Sequence, residues 1–178
     1  MINKYFFSKA SDSKPLLFLD RDGVINIRPK EHEYVTKWSE FKFAPQIVKL
    51  LSGLKNDYQF VVVTNQQGIA KGCMTESNFK NIMTKMVEEL NKQQIQISSV
   101  YFCPHHSDDG CDCRKPKPGL ILDALTDYGI KLSSCALIGD SPSDIAAGKS
   151  ANIKKNYLLS SNTITNSDFL RILNDLKQ

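Results

Sequence analysis

Apolar positions along the chain fall into short unbroken runs separated by stretches with helical spacing. Leu16, Leu17, Phe18 and Leu19 form a run of strand length, and residues 60–63 form a β-branched run of the kind buried on both faces of a parallel sheet. Between them Ile47, Val48, Leu50, Leu51 and Leu54 share one stripe, which predicts a helix over residues 46–54. Thr75 is a candidate N-cap with Glu76 in the first turn, after which Phe79, Ile82, Met83, Met86, Val87 and Leu90 keep helical spacing. That aromatic and methionine stripe reads as core, not as a ligand box. The pattern goes on with a strand at 100–102, a helix at 118–128 closed by Gly129, a strand at 136–138, a short helix at 143–149, a strand at 156–159 and a helix at 168–176. Residues 26–45 carry no clear pattern and are expected to hold a substrate loop.

Strand and helix alternation of this kind means βαβ units with right-handed crossovers. The expected fold is α/β, a three-layer, doubly wound, Rossmann-like parallel sheet. With 178 residues and no internal repeat, low-complexity tract or linker, one domain over residues 1–178 is expected. At 41% hydrophobic and 24% charged residues the composition is that of a globular protein. No apolar run approaches the roughly 20 residues that span a bilayer. Tyr5, Phe6 and Phe7 are followed at once by the polar stretch 8–14, too soon for a secretory signal. A monomer in the cytoplasm with no membrane partner is the expectation. The net charge of +4 is modest and scattered, which argues against a nucleic-acid partner.

In an open parallel sheet, ligands bind beyond the carboxyl ends of the strands. The polar clusters lie at those places: Asp20 and Asp22 after the first strand, Thr64 and Asn65 after the second, a cysteine cluster after the third, and Gly139, Asp140 and Asp144 after the fourth. A lone Asp-x-Asp is ordinarily a capped turn, but four such clusters in register with four strands are hard to obtain by accident. Asp20 and Asp22 repel one another unless a cation intervenes, Asp140 offers a third carboxylate, and hard oxygen ligands favour magnesium. A phosphoryl group needs such a cation, hydrogen-bond donors and an in-line nucleophile. The Thr64 hydroxyl can be a donor and Lys115 a fixed positive charge.

The stretches FLDRDGVIN at residues 18–26, VVVTNQQGIAKG at 61–72, the Lys115 region, and IGDSPSD at 138–144 together resemble the haloacid dehalogenase superfamily of phosphatases. The resemblance implies that Asp20 attacks phosphorus and becomes a phospho-aspartate. It implies that Asp22 protonates the leaving oxygen and then activates water, and that Thr64 and Lys115 hold the phosphoryl group. Magnesium would be held by Asp20, Asp140 and the Asp22 carbonyl, with Asp144 behind them. Val24 stands where the family often has threonine, which leaves the core mechanism untouched.

The cysteines narrow the branch. Cys103, His105, Cys111 and Cys113 supply the complement of a closed, structural Cys3His zinc site, with His106 as the alternative histidine. Such a zinc would pin a long loop and fix where Arg114 and Lys115 point. Cys135, inside an apolar run, reads as an inert buried thiol. CPHHSDDGCDCRKPKPG resembles the zinc-containing branch that includes D-glycero-D-manno-heptose 1,7-bisphosphate phosphatases and histidinol-phosphate phosphatases. TNQQGIAKG and the Tyr34-Val35 stretch lean toward the heptose enzymes, implying removal of the 7-phosphate of a small sugar bisphosphate. Histidinol phosphate is the alternative substrate, and a phospho-accepting receiver-like signalling module is the rival from another class. Too few residues separate Asp22 from Thr64 for an ordinary cap domain, so specificity must come from residues 26–34, 66–74 and the zinc loop. Asn65, Gln66, Gln67, Arg114 and Arg28 are the candidate substrate contacts, Ser141 standing where some heptose phosphatases carry a basic residue.

Overall fold

The structure is a computed structural model that describes residues 2–8, 14–30, 33–160 and 164–178. Glu31 and His32, part of the expected loop over 26–34, and residues 9–13 of the N-terminal polar stretch lie outside the described residues. Among the described residues six strands form one sheet: β1 (Asn3–Phe6), β2 (Leu16–Leu19), β3 (Gln59–Asn65), β4 (Ile97–Cys103), β5 (Ala136–Gly139) and β6 (Lys155–Leu158). The helices are α1 (Ile47–Leu54), α2 (Glu76–Lys92), α3 (Gly119–Tyr128), α4 (Pro142–Ser150) and α5 (Asn166–Leu176). Among the described residues no helix is long and apolar enough to cross a membrane.

Side chains alternate across each strand, and the two faces are read off directly. Leu17, Leu19, Phe60, Val62, Val100, Phe102 and Ile138 face a core built with α1, α2 and α5. Leu16, Phe18, Val61, Val63, Tyr101 and Leu137 face the other way, onto α3 and α4. Both faces are covered, which is why β2 to β5 show continuous apolar runs rather than alternation. The strand order is β1-β4-β3-β2-β5-β6. From β2 the chain winds through β3 to β4, then crosses back to lay β5 against the other side of β2 and continues to β6. The β2–β5 junction is therefore the topological switch point, where a crevice opens beyond the strand ends.

β1 differs from the sequence-based expectation. It pairs antiparallel with β4, Asn3 opposite Phe102 and Phe6 opposite Ser99, so the sheet is parallel with one antiparallel edge. Its residues are mostly half-buried, as befits an edge strand, so they leave no continuous apolar run to read. The edge is held on both faces. Tyr5 packs 5.1 Å from the ring of Phe102, which lies 4.6 Å from Phe79. On the opposite face Lys4 bonds both Asp123 and Asp127 of α3.

Between β2 and α1 the described residues hold only a 3-10 turn at Trp38–Glu40, whose Trp38 stacks on Phe41 at 5.0 Å, and no inserted cap. The mouth of the β2–β5 crevice is left open.

Phe102→Ala removes a fully buried ring that joins β1, β4 and α2. It is expected to cost about 3–5 kcal/mol, seen as a lower urea midpoint with an unchanged slope. Wild-type stability in this variant would show that the aromatic stack does not hold the edge.

Candidate active site

Asp20 is the first residue beyond β2, and its backbone N–H donates to the Ile138 carbonyl of β5 at 3.0 Å, which brings it to the switch point. Lys115 reaches it from the loop after β4. The ammonium is 4% exposed and lies 2.6 Å from Asp20 Oδ1, 2.5 Å from Asp144 Oδ1 and 2.9 Å from the Val63 carbonyl. All three of its donors are thereby spent. Asp140, the first residue after β5, completes the group: Asp20, Asp140 and Asp144 each offer a carboxylate oxygen, all within 4.8 Å of one another.

Three carboxylates and one ammonium leave two negative charges in a buried space. Burial pushes the Asp20 carboxyl up to about 7, with Asp144 and Asp140 adding to the rise and Lys115 opposing it. Burial likewise pushes Asp140 up to about 6, against the pull of Arg28. Both Asp140 oxygens are buried without a hydrogen-bond partner, and the nearest cation is Arg28 Nε, 3.3 Å from Oδ2. Hard oxygen donors that Lys115 and the half-exposed Arg28 compensate only in part fit a magnesium ion. Gly23 makes room for them. It adopts φ +89°, and a Cβ there would fall 1.7 Å from Asp140 Oδ2.

Asp22 is held apart from this group. The fully buried Arg21 donates from Nη2 to both Asp22 oxygens at 2.7 Å and from Nε to Oδ1 at 3.1 Å. Asn26 Nδ2 adds a bond to Oδ1 at 2.9 Å and Gln66 Nε2 one to Oδ2 at 3.1 Å. Burial would raise the Asp22 carboxyl, but the Arg21 charge and these donors more than offset it, and the group lies below the usual carboxylate range. Thr64, at the end of β3, accepts a bond from the same Gln66 amide at 2.9 Å. Gln66 is 2% exposed and faces Asp22 and Thr64, away from the cavity where a substrate contact was expected.

The cysteine cluster closes where β4 ends. His105 Nδ1 lies 3.5 Å from Cys103 Sγ and 3.2 Å from Cys113 Sγ, and Cys111 Sγ lies 3.6 Å from both other sulfurs. A tetrahedral zinc with bonds of about 2.3 Å to sulfur separates its ligand atoms by roughly 3.7 Å, so this donor set can hold one. His106 belongs to the following turn, where its N–H bonds Asp109. The metal loop leads straight to Lys115, whose backbone N–H and carbonyl are both bonded by the Asn65 amide at 3.1 Å.

Above Asp20 a cavity of about 750 Å³ opens, lined by Asp20, Asp22, Thr64, Asn65, Lys115 and Asp144 at its floor and by Arg28, Lys30, Tyr34, Gln67 and Arg114 around its mouth. Arg114 donates to Gln67 Oε1 at 3.3 Å, and Gln67 donates to the Tyr34 hydroxyl at 3.2 Å, so the zinc loop, the β3 loop and residues 26–34 meet across one rim. Tyr34 also lies against Gly68, where a Cβ would fall 2.9 Å from its ring. Arg21, Asn26 and Lys30 were not singled out in the sequence. Arg21 and Asn26 do their work through contacts with Asp22, and only the placement of Asn26 inside an otherwise apolar turn hints at a buried partner.

The family described as polynucleotide kinase 3 phosphatase matches residues 15–169, which span every element from β2 into α5. The chain belongs to this family. It is 40% identical over 163 residues to the D-glycero-alpha-D-manno-heptose-1,7-bisphosphate 7-phosphatase of Campylobacter jejuni, covering 91% of each chain. It is also 40% identical over 150 residues to the D-glycero-beta-D-manno-heptose-1,7-bisphosphate 7-phosphatase of Helicobacter pylori, covering 83% of this chain and 84% of that one. Among solved structures, the D,D-heptose 1,7-bisphosphate phosphatase of B. bronchiseptica, complexed with magnesium and phosphate, superposes with a TM-score of 0.81 at 29% identity, covering 92% of this chain and 98% of that one. With these relatives the chain is a phosphatase of the haloacid dehalogenase superfamily, which sets aside the receiver-like signalling module.

Two substitutions separate the two metal sites. Gly23→Ala drives a methyl into Asp140 and forces a left-handed residue to carry a Cβ, at about 1–2 kcal/mol of stability. It is expected to weaken magnesium binding by roughly tenfold or more, read by titration calorimetry, since losing one ligand removes over 1.4 kcal/mol. Unchanged affinity would take Asp140 out of the magnesium site. Cys111→Ser or Cys113→Ser is expected to bring zinc well below one per chain and to speed hydrogen exchange across residues 103–117 while the sheet stays protected. Full zinc content, or a loop exchanging at the wild-type rate, would remove the metal from this loop.

Proposed function

We propose that the chain removes the 7-phosphate of D-glycero-D-manno-heptose 1,7-bisphosphate through a phospho-aspartate on Asp20. The observation that carries this reading is the cavity itself, an acidic floor built around Asp20 beneath a mouth where Arg28, Lys30 and Arg114 outnumber the one carboxylate, Glu33. A bisphosphate has one phosphoryl group for each end. The names of relatives at 40% identity point to the same substrate.

Asp20 Oδ1 is bonded to Lys115, which leaves Oδ2 as the attacking oxygen. It forms a bond to phosphorus as the bond from phosphorus to the sugar oxygen breaks, and Asp22, having taken up the proton carried in by the monoanionic phosphate ester, delivers that proton to the leaving oxygen. Water then attacks the phospho-aspartate, Asp22 takes its proton, and inorganic phosphate leaves with Asp20 regenerated. Arg21 holds Asp22 as a carboxylate in the unliganded site, the form needed for the second half. Thr64 donates to the phosphoryl oxygens, and Lys115 neutralises charge on Asp20 and on the group that it takes up. Magnesium, bound by Asp20, Asp140 and the Asp22 carbonyl with Asp144 beside them, would neutralise charge developing on the equatorial oxygens. At the mouth, Asn65 and Gln67 border the sugar while Arg114 and Arg28 meet the distal phosphate.

All of these groups come from one chain, which suits a monomer acting on a small phosphorylated metabolite. An impermeant phosphorylated substrate and thiolate zinc ligands both suit the cytoplasm. A single domain over residues 1–178 accommodates the whole site.

Phosphate release from heptose bisphosphate, histidinol phosphate and a short 3′-phosphorylated oligonucleotide tests the substrate; the first should exceed the others by at least tenfold in kcat/KM, and faster release from either alternative would overturn it. Asp20→Asn keeps the shape and removes the nucleophile, so turnover should vanish while the unfolding midpoint holds. A variant that still worked at a tenth of the normal rate would defeat the covalent mechanism.

A further inference from the structure

Gln66 is a buried polar side chain in a place where the mechanism above gives it nothing to do. It is 2% exposed, and its backbone N–H is already bonded to the Cys103 carbonyl at 2.7 Å, which fixes the residue between β3 and β4. An amide nitrogen has two hydrogens to give. Both are directed at the site: Nε2 lies 3.1 Å from Asp22 Oδ2 and 2.9 Å from Thr64 Oγ1.

Each bond has a separate consequence. Thr64 owns one hydroxyl proton and accepts the Gln66 hydrogen on a lone pair, so its own proton must point elsewhere, into the cavity that it lines. The rotor is set as a donor before any phosphate arrives. On Asp22, Oδ1 is taken by Arg21 Nε, Arg21 Nη2 and Asn26, whereas Oδ2 has only Arg21 Nη2 and Gln66. Oδ2 is thus the less occupied oxygen, the one able to exchange a proton with the leaving group, and Gln66 fixes its angle about the Arg21 fork.

We propose that Gln66 is a positioning residue that couples proton transfer at Asp22 to phosphoryl binding at Thr64, one amide hydrogen serving each. Arriving phosphate that draws Thr64 forward pulls on the same nitrogen that orients Asp22. The inference rests on the phospho-aspartate reading, and it moves Gln66 from contact with substrate to support of the two groups that touch it.

The test is a double-mutant cycle read across leaving groups. Gln66→Met keeps length and removes both donors. It is expected to lower kcat on the alkyl sugar phosphate by roughly tenfold or more, a part of the 100-fold or larger effect typical of general acid catalysis. On an aryl phosphate, whose leaving group needs little protonation, the loss should be less than about threefold. In an Asp22→Asn background the same substitution should keep only the part of its effect that runs through Thr64, less than about threefold and equal on alkyl and aryl substrates, because the Asp22 carboxylate that carries the leaving-group-dependent part is gone. Zinc content and unfolding midpoint report whether the variant folds; if Gln66→Met does not, Gln66→Glu, close in shape, must show the same leaving-group split. Equal losses on alkyl and aryl substrates, or a full multiplicative loss on Asp22→Asn, would overturn the proposal. Failure of the phosphatase reading shows up separately, as wild-type turnover that survives Asp20→Asn.

Discussion

A single ammonium, that of Lys115, lies between Asp20 and Asp144 with its third proton on the Val63 carbonyl, buried where water does not reach. Breaking a buried pair by removing one partner typically costs 3–5 kcal/mol, because the remaining charge is left uncompensated. Here the remainder would be three carboxylates in one pocket. Lys115 is what lets them coexist, yet it does not neutralise them. Its charge is raised in affinity for its proton, well above the ordinary lysine range, by Asp20 and Asp144 against the opposing effect of burial. The negative charge that Lys115 and Arg28 together leave unbalanced suits a bound cation.

Everything else at the carboxyl end of the sheet places that ammonium. Asn65 brackets the backbone of Lys115 from the end of β3. From the other side Cys113 lies two positions upstream, and Cys103, which ends β4, ties the loop back to the sheet. The three sulfurs and the His105 ring crowd together at the end of β4. Zinc would convert that crowding into four bonds and give the loop a rigid start. The structural metal and the catalytic cation are thus linked through two residues of backbone.

The strands and helices that could be read in the sequence were those whose burial is continuous or strictly periodic. The run at Leu16–Leu19 and the α2 stripe from Phe79 to Leu90 emerge unchanged, and Thr75 caps α2 by accepting the Asn78 N–H. β4 begins earlier than its apolar run, at Ile97, because Ser98 and Ser99 are polar yet buried, Ser99 being bonded to the Tyr128 hydroxyl. β6 runs Lys155–Leu158 rather than 156–159, and α5 begins at Asn166, behind a Thr165 cap, where the periodic apolar pattern has not started. At the site, residue types that announce chemistry by themselves, carboxylates after strands and clustered thiols, were legible. Arg21 was not, and Gln66 was read as a substrate contact, because an arginine and a glutamine beside a motif are ordinarily solvated or turned to a ligand. Only the fold turns them inward. Gly23 gave no such signal, because the reason for it, the space that Asp140 needs, belongs to a different strand.

The switch point explains why these two kinds of residue divide as they do. Asp20 and Asp140 leave neighbouring strands, β2 and β5, so the topology brings their backbones together and Lys115 has only to balance the charge. Asp22 is different: it lies within the Arg21 to Asn26 turn, where the Arg21 carbonyl accepts from Val24, Ile25 and Asn26, and the backbone there fixes no direction for its side chain. In the proposed mechanism this carboxylate meets a leaving oxygen in one half-reaction and a water in the next, so it has to be aimed by side chains. Four hydrogen bonds from Arg21 and Asn26 hold one oxygen and steady the other, and the Gln66 amide supplies the last. The metal-binding half of the site therefore follows from strand order, whereas the proton-transfer half rests on a handful of buried donors, and it is there that single substitutions should separate chemistry from folding.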